Sequence, residues 1–490
     1  MSVDDYIGEY SLEEEKVYTF DEAIDEIGFG LYQFILMQVC GAGWMFDGIE
    51  LTMTSFILPL LVEEWKLSAI QSGLLGSAVF FGMAFGAQFG GIISDKFGRK
   101  LIFMSSIIII VLFGFLSAFA PEYYTFMLLR FFVGVGLGAC VPTDFSLLME
   151  YIPRRNRGIV LGAMNIYWTV GTALECLLAW ACLAQGSFAP KTGWRWLVAI
   201  SSIPGVFIMF SRAFVKESPR FMLLNNRNEE AEQLIATIAR VNGKNVPTGV
   251  LIGVHPEHKL SVLEQVRGMF LSPYLRLTLV LWLIWFMMSF GSWGFTFIIP
   301  IVFSKIKTVN PYTSMLIVTG VNFASNVVTM FVLDRIPRRT LTVSSFIFSG
   351  ICTVFVGISS VYASILYNSM ISVFISGFAW SVVYTYTPES YPTQFRATAM
   401  GTCSLWTRLA GTLTPLCGTL MLTTGFLLPF VVYGSALFVA GISSIFLPLE
   451  TLGRKLDDVA VDSFSRIGTE SEKKSLIRSP TEEELQQDEQ

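Results

Sequence analysis

Long apolar runs alternate with short polar breaks along most of the chain. Twelve runs approach or exceed the roughly 20 residues that cross a bilayer core. They are 34–62, 70–93, 101–120, 124–147, 157–183, 195–214, 275–303, 312–333, 341–359, 364–386, 396–424 and 427–448. Each is read as a membrane-spanning helix, because a helix satisfies its own backbone hydrogen bonds in lipid. A polar stretch of about 60 residues separates the sixth run from the seventh. Within it, Asn228 to Val241 carries apolar residues at helical spacing among glutamates, which predicts a short amphipathic helix. The chain thus divides into an acidic tail 1–30, a six-helix unit 31–214, a central loop 215–274, a second six-helix unit 275–449 and a polar tail 450–490 expected to be disordered.

Basic residues gather in alternate loops. Lys96, Arg99 and Lys100 follow the second run, Arg154, Arg155 and Arg157 the fourth, and Arg335, Arg338 and Arg339 the eighth. The intervening loops hold little base, Lys305 and Lys307 being the exception. The positive-inside rule then places the basic side, both termini and the central loop in the cytoplasm. The first 30 residues lack a basic leader, so the first span is expected to serve as the targeting signal.

Composition sharpens the class. Hydrophobic residues make up 53% and charged residues 14% of 490, against about 25% charge in a soluble domain. The net charge of −5 averages acidic tails with basic loops and suggests no nucleic-acid partner. Seven cysteines show neither a disulfide framework nor zinc spacing. Both histidines, His255 and His258, fall in the central loop, so no buried histidine relays protons. No glycine-rich phosphate cradle ending in Lys-Ser/Thr is present. Neither an enzyme nor an ATP-driven pump is indicated, and no metal or cofactor is expected.

Two loops carry the family signal. Gly91-Ile-Ile-Ser-Asp95-Lys-Phe-Gly98-Arg99-Lys100 lies between the second and third runs, with an echo at Asp334-Arg-Ile-Pro337-Arg338-Arg339. Further elements are Glu150-Tyr-Ile-Pro-Arg-Arg, Gly193-Trp-Arg-Trp196, Glu217-Ser-Pro-Arg220, Pro388-Glu-Ser-Tyr-Pro392 and Pro448-Leu-Glu-Thr451. The pattern resembles the major facilitator superfamily, in its sugar, organic-ion and synaptic-vesicle-protein branch, over about residues 30–455. Gly171-Thr-Ala-Leu-Glu175 and Tyr386-Thr-Pro-Glu389, with Arg408 and Pro415 downstream, resemble synaptic vesicle 2-related proteins and niacin transporters. The resemblance implies an all-α polytopic fold of twelve helices in two pseudo-symmetric bundles, with a midplane cavity. It also implies a conformational latch at Asp95 and Arg99, and a second at Asp334 and Arg338. Pro337 and Met330 depart from the repeat's glycines, which weakens the second copy.

Candidate site residues are polar or aromatic positions inside the spans. Asp47 and Glu50 stand three residues apart on one helical face. Repulsion and desolvation favour a proton on one of them, as a coupling site requires; the alternative is a pairing with Arg130 or a helix end. Arg130 is expected to pair with Glu175 or with Glu50, and those four residues form the proton-coupling candidates. Arg408 sits near the midplane of the eleventh run. It could grip a carboxylate with two hydrogen bonds, or brace Asp47 or Glu50. Trp168, Trp285, Trp293 and Tyr384 could sandwich a planar ring, and Asn165 and Asn322 complete the substrate-binding candidates; aromatic residues in spans also pack against lipid. Sugar carriers of this branch usually carry glutamines in spans five and seven, which are absent here.

The expected function is secondary transport of a small organic anion, such as an aromatic carboxylate, with a proton. A sugar or organic-cation carrier, or a non-transporting vesicle receptor, is the alternative. The protein is expected to act as a monomer in the plasma membrane or a vesicular or endolysosomal membrane. Glu472, Leu476 and Ile477 fit an acidic dileucine signal for a sorting adaptor.

Overall fold

The structure, a computed structural model, describes residues 17–184, 192–251, 262–271, 274–306, 310–333 and 335–451. The first half comprises α2 (Leu31–Trp65), α3 (Ala69–Phe97), α4 (Arg99–Ser117), α5 (Tyr123–Tyr151), α6 (Arg157–Leu183), α7 (Gly193–Ser201) and α8 (Ile203–Ala213), preceded by the short α1 (Phe20–Ile27). The centre holds α9 (Pro219–Leu224), α10 (Asn228–Val241) and α11 (Val262–Met269). The second half comprises α12 (Tyr274–Lys305), α13 (Pro311–Val332), α14 (Arg338–Ile358), α15 (Tyr362–Glu389), α16 (Thr393–Leu422) and α17 (Leu427–Ser444).

Local chemistry sets the breaks. Ser68 caps α3 in a reciprocal pair with Gln71. Gly98 adopts φ +98° between α3 and α4, a conformation that favours glycine. The sixth run is broken at Ser202 into α7 and α8, because Pro204 lacks the N–H that would continue the ladder. The amphipathic segment 228–241 is α10 as expected. Among the described residues, eleven spans are long and apolar enough to cross a membrane, with α7 and α8 forming one of them. The twelfth is α16, whose threonines and Arg408 dilute its hydropathy. At 30 residues it extends about 45 Å and packs between α3 and α12.

Glycines set the tightest helix contact. An added Cβ at Gly82 or Gly86 on α3 would lie 2.1 or 1.9 Å from the carbonyl oxygens of Phe131 and Val135 on α5. Conversely, Gly134 and Gly138 would meet the carbonyls of Val79 and Met83, each at 2.1 Å. Backbone thus meets backbone, as small-residue seams permit. Gly136, between the last two, instead faces Ile110 and Ser106 on α4.

The halves meet along α3–α16, α6–α13 and, less extensively, α2–α12. At the end away from the basic loops, Met53, Phe56 and Leu61 join Phe297, Val302 and Met315 in one apolar cluster. The Phe56 and Tyr312 rings meet across the halves at 5.6 Å. Thr419 donates to the Ala69 carbonyl at 3.0 Å, and Ser77 to that of Thr412 at 2.5 Å. That end is closed. Toward the basic end, α5 and α15 share no extensive contact among the described residues.

The basic end of the first half carries a cap. Val17–Tyr18 pairs in parallel with Val250–Leu251. Phe20, Ile24 and Ile27 on α1 bury against Leu234, Ile235 and Ile238 on α10 and against Tyr151. Asp21 meets Arg157 and Arg220 at 3.4 and 3.2 Å, and Asp25 accepts from the Arg154 backbone at 2.8 Å. At the opposite end, Arg195 of the Gly-Trp-Arg-Trp element donates to the Ala118 and Ala120 carbonyls, and Trp194 to Glu64.

Candidate functional site

A cavity of about 180 Å³ lies between the halves. Its wall takes Trp44 from α2, Asn165 and Trp168 from α6, Trp293 from α12, Asn322 from α13, and Trp380 and Tyr384 from α15. The indoles form a continuous arc. Trp44 to Trp168 is 5.1 Å, Trp168 to Trp293 is 5.5 Å, and Trp293 to Trp380 is 6.0 Å. Trp380 then stacks on Tyr384 at 5.9 Å. The Trp168–Trp293 contact joins the two halves. Serines, threonines and asparagines fill the gaps, and no charged side chain lines the wall among the described residues. Asn326 ties α13 to α6 through the Asn165 carbonyl and Thr169.

Of the substrate-binding candidates, the structure brings Asn165, Trp168, Trp293, Asn322 and Tyr384 together around one cavity. Trp285 stands apart: it is fully buried behind the wall and donates to Thr387 at 3.0 Å. Arg408 also lies behind it. Its guanidinium is buried and bonds Ser404 on its own helix.

The buried charges form a layer in the first half. Arg130 pairs with Glu50 at 2.7 Å and also donates to Thr54, so of the two pairings left open it takes Glu50. Glu175 accepts a hydrogen bond from Ser201 at 2.8 Å. Asp47 is buried, and neither carboxylate oxygen has a hydrogen-bond partner among the described residues. A second ion pair, Asp144 with Arg212 at 2.6 Å, was missed in the sequence, as was Trp44. Asp144 and Arg212 satisfy the same criterion that singled out Asp47, a charge inside an apolar run.

At the basic end Arg99 and Arg338 are each anchored twice over. Arg99 meets Glu150 at 3.0 Å, and its backbone N–H donates to Glu217 at 2.8 Å. In the second half Arg338 meets Glu389 at 3.6 Å, and its N–H donates to Glu450 at 2.8 Å. Ser218 bonds Glu150, and Thr451 bonds Glu389 at 2.6 Å. The second copy keeps the arrangement of the first although Pro337 replaces the glycine. The Asp95 side chain, Asp334 and the 472–477 sorting pattern lie outside the described residues.

Two six-helix units around a shared midplane cavity, braced by repeated arginine–glutamate anchors, define a secondary solute carrier. The chain belongs to the major facilitator superfamily, and the model of its sugar (and other) transporter family matches residues 25–462. It is 32% identical to the synaptic vesicle 2-related protein of Xenopus laevis, over 92% of this chain and 84% of that protein. It is 31% identical to organic cation/carnitine transporter 7 of Arabidopsis thaliana, covering 90% and 96%. It is 30% identical to the niacin transporter NiaP of Acinetobacter baylyi, covering 89% and 99%. The inward open conformation of the xylose transporter XylE from E. coli shares the fold with a TM-score of 0.70 at 18% identity, covering 88% and 99%. The protein is a multi-pass membrane transporter of the sugar or organic-solute type, and not an enzyme.

Proposed function

We propose that this transporter carries a small planar organic anion, an aromatic carboxylate such as nicotinate, together with a proton. The observation that carries the reading is the tryptophan arc shared by both halves, whose faces match a flat ring. Asp47 supplies the proton site, since a buried carboxylate without a partner is expensive as an anion. Arg408 supplies the attraction for the anion: its buried positive charge behind the wall favours a carboxylate in the adjacent cavity. The niacin transporter among the relatives supports this choice. With the basic end assigned to the cytoplasm, the apolar closure faces outward and the molecule is inward-facing. The arginine anchors at the basic end then serve as the latch that alternating access makes and breaks.

The neutral aromatic wall favours a second reading, an organic cation held over ring faces, and the Arabidopsis relative fits it. Uptake into proteoliposomes decides. Labelled nicotinate, a hexose and a quaternary ammonium compound are supplied with and without an inward proton gradient. Gradient-driven nicotinate uptake, lost in Asp47→Asn and Arg408→Ala, supports the anion reading. Uptake of the ammonium compound alone transfers the function to the second reading. Uptake of only hexose removes both, and no uptake favours a receptor role.

A further inference from the structure

We infer that Asp144 and Arg212 are positioning residues for the proton site at Asp47, forming with it a single exchange unit; this rests on the proton-coupled reading above. Arg212 on α8 is completely buried and reaches three elements of the first half. It donates to Asp144 on α5 at 2.6 Å and to the Phe103 carbonyl on α4 at 2.7 Å, and contacts Cys140 at 3.2 Å. Its guanidinium lies over the Phe103 ring at 4.2 Å. The pair is seated on α2 at Gly43, where an added Cβ would stand 2.1 Å from a guanidinium nitrogen and 2.2 Å from the Asp144 carboxylate. Asp47 is four residues further on, on the same helical face.

The unmet hydrogen bonds are complementary. Among the described residues, Arg212 Nε has no acceptor, Asp144 Oδ1 has no donor, and both Asp47 oxygens have no donor, all of them buried. Other titratable or charged groups facing Asp47 are Glu50 on its own helix, Cys140 on α5 and Arg408 on α16. Of the two arginines, Arg212 belongs to the same half. When Asp47 holds a proton, Arg212 stays locked on Asp144. When Asp47 releases it, the carboxylate draws the guanidinium and the two acids share it. The exchange pulls α2 against α8. Because α2 also carries Trp44, three residues before Asp47 and in the cavity wall, the proton's presence reaches the solute site.

The test uses full-length protein in nanodiscs and needs no substrate. Thermal unfolding midpoints are measured from pH 5 to pH 8 for the wild type, Asp47→Asn, Asp144→Asn and the charge-preserving Arg212→Lys. Each of the latter two is also combined with Asp47→Asn. The expected result is a pH-dependent midpoint in the wild type that disappears in Asp47→Asn. Asp144→Asn should move the transition to lower pH by about one unit, because Arg212 is freed for Asp47, and that shift should vanish when Asp47 is absent. Equal destabilisation by Asp144→Asn and Arg212→Lys at every pH, additive with Asp47→Asn, overturns the exchange unit and leaves a structural ion pair. A wild-type transition that survives Asp47→Asn unchanged removes the proton site itself. Proton-independent uptake beside an intact Asp47 transition sinks the transport coupling alone.

Discussion

Arg130 and Glu50 stand 2.7 Å apart with neither side chain exposed, and this contact joins the first and fourth spans. Arg130 also donates to the Glu50 carbonyl and to Thr54, so one guanidinium grips one turn of α2 at three points. Removing a single partner strands a buried charge, at about 3–5 kcal/mol. Arg130→Ala and Glu50→Ala should each lower the thermal midpoint sharply in nanodiscs. The apolar pair Arg130→Leu with Glu50→Leu should be more stable than either, because nothing is left uncompensated. A double variant worse than the sum of the singles would show that the pair contributes more than charge balance.

The seam between α3 and α5 gives a contrast inside one helix. Gly86 cannot accept a Cβ without displacing the Val135 carbonyl, whereas a Cβ at Gly91 meets nothing within 4 Å. Gly86→Ala should therefore cost about 1–3 kcal/mol through overpacking, and more if the helices cannot part. Gly91→Ala should be neutral or stabilising by up to about 1 kcal/mol, since alanine favours the helix. Unfolding midpoints of the two variants, side by side, check the sign.

Much of this was legible in the sequence, and the reason is lipid. Spans declare themselves by length, so the two-half architecture and the α10 helix follow from hydropathy. The break at Ser202 hides inside a single apolar run, although Pro204 marks it. Side-chain partners are less legible. Arg130 had two acids within reach, and only the helix rotation that turns Glu50 toward α5 decides between them. Arg408 reads as a cavity residue by depth, yet its rotation directs it to Ser404 behind the wall. Asp144 and Arg212 were visible as charges but lacked a motif to draw attention, and their meeting depends on three-dimensional packing around Gly43.

The repeated anchors at the basic end are similar in design and buried from opposite sides. In the first, Glu150 is 5% exposed and Arg99 25%; in the second, Arg338 is 6% exposed and Glu389 29%. Cutting a pair costs more when the partner left behind is buried than when it reaches solvent. Arg99→Ala, which leaves the buried Glu150 without its cation, should therefore destabilise the protein by about 1 kcal/mol or more beyond Glu150→Ala, which leaves Arg99 part-exposed. Denaturation midpoints compare the two. Raising the salt concentration should diminish the Glu150→Ala effect less than that of a fully exposed pair, because a partly buried pair is screened less.

Trp168 and Trp293 meet at 5.5 Å across the halves, so each contributes one side of the same wall. On the anion reading proposed above, a planar solute packed against this wall gains aromatic contact worth about 0.5–1.5 kcal/mol per ring. Trp168→Ala and Trp293→Ala should each weaken binding of nicotinate by about 3- to 10-fold, with Trp→Phe retaining most of the affinity. Equilibrium binding of labelled nicotinate to the nanodisc protein measures this without requiring turnover. The two substitutions should also be non-additive, since the rings touch and each holds the other in place. Full additivity would place the rings at separate positions on the solute, and unchanged affinity in both would move the solute off the tryptophan arc.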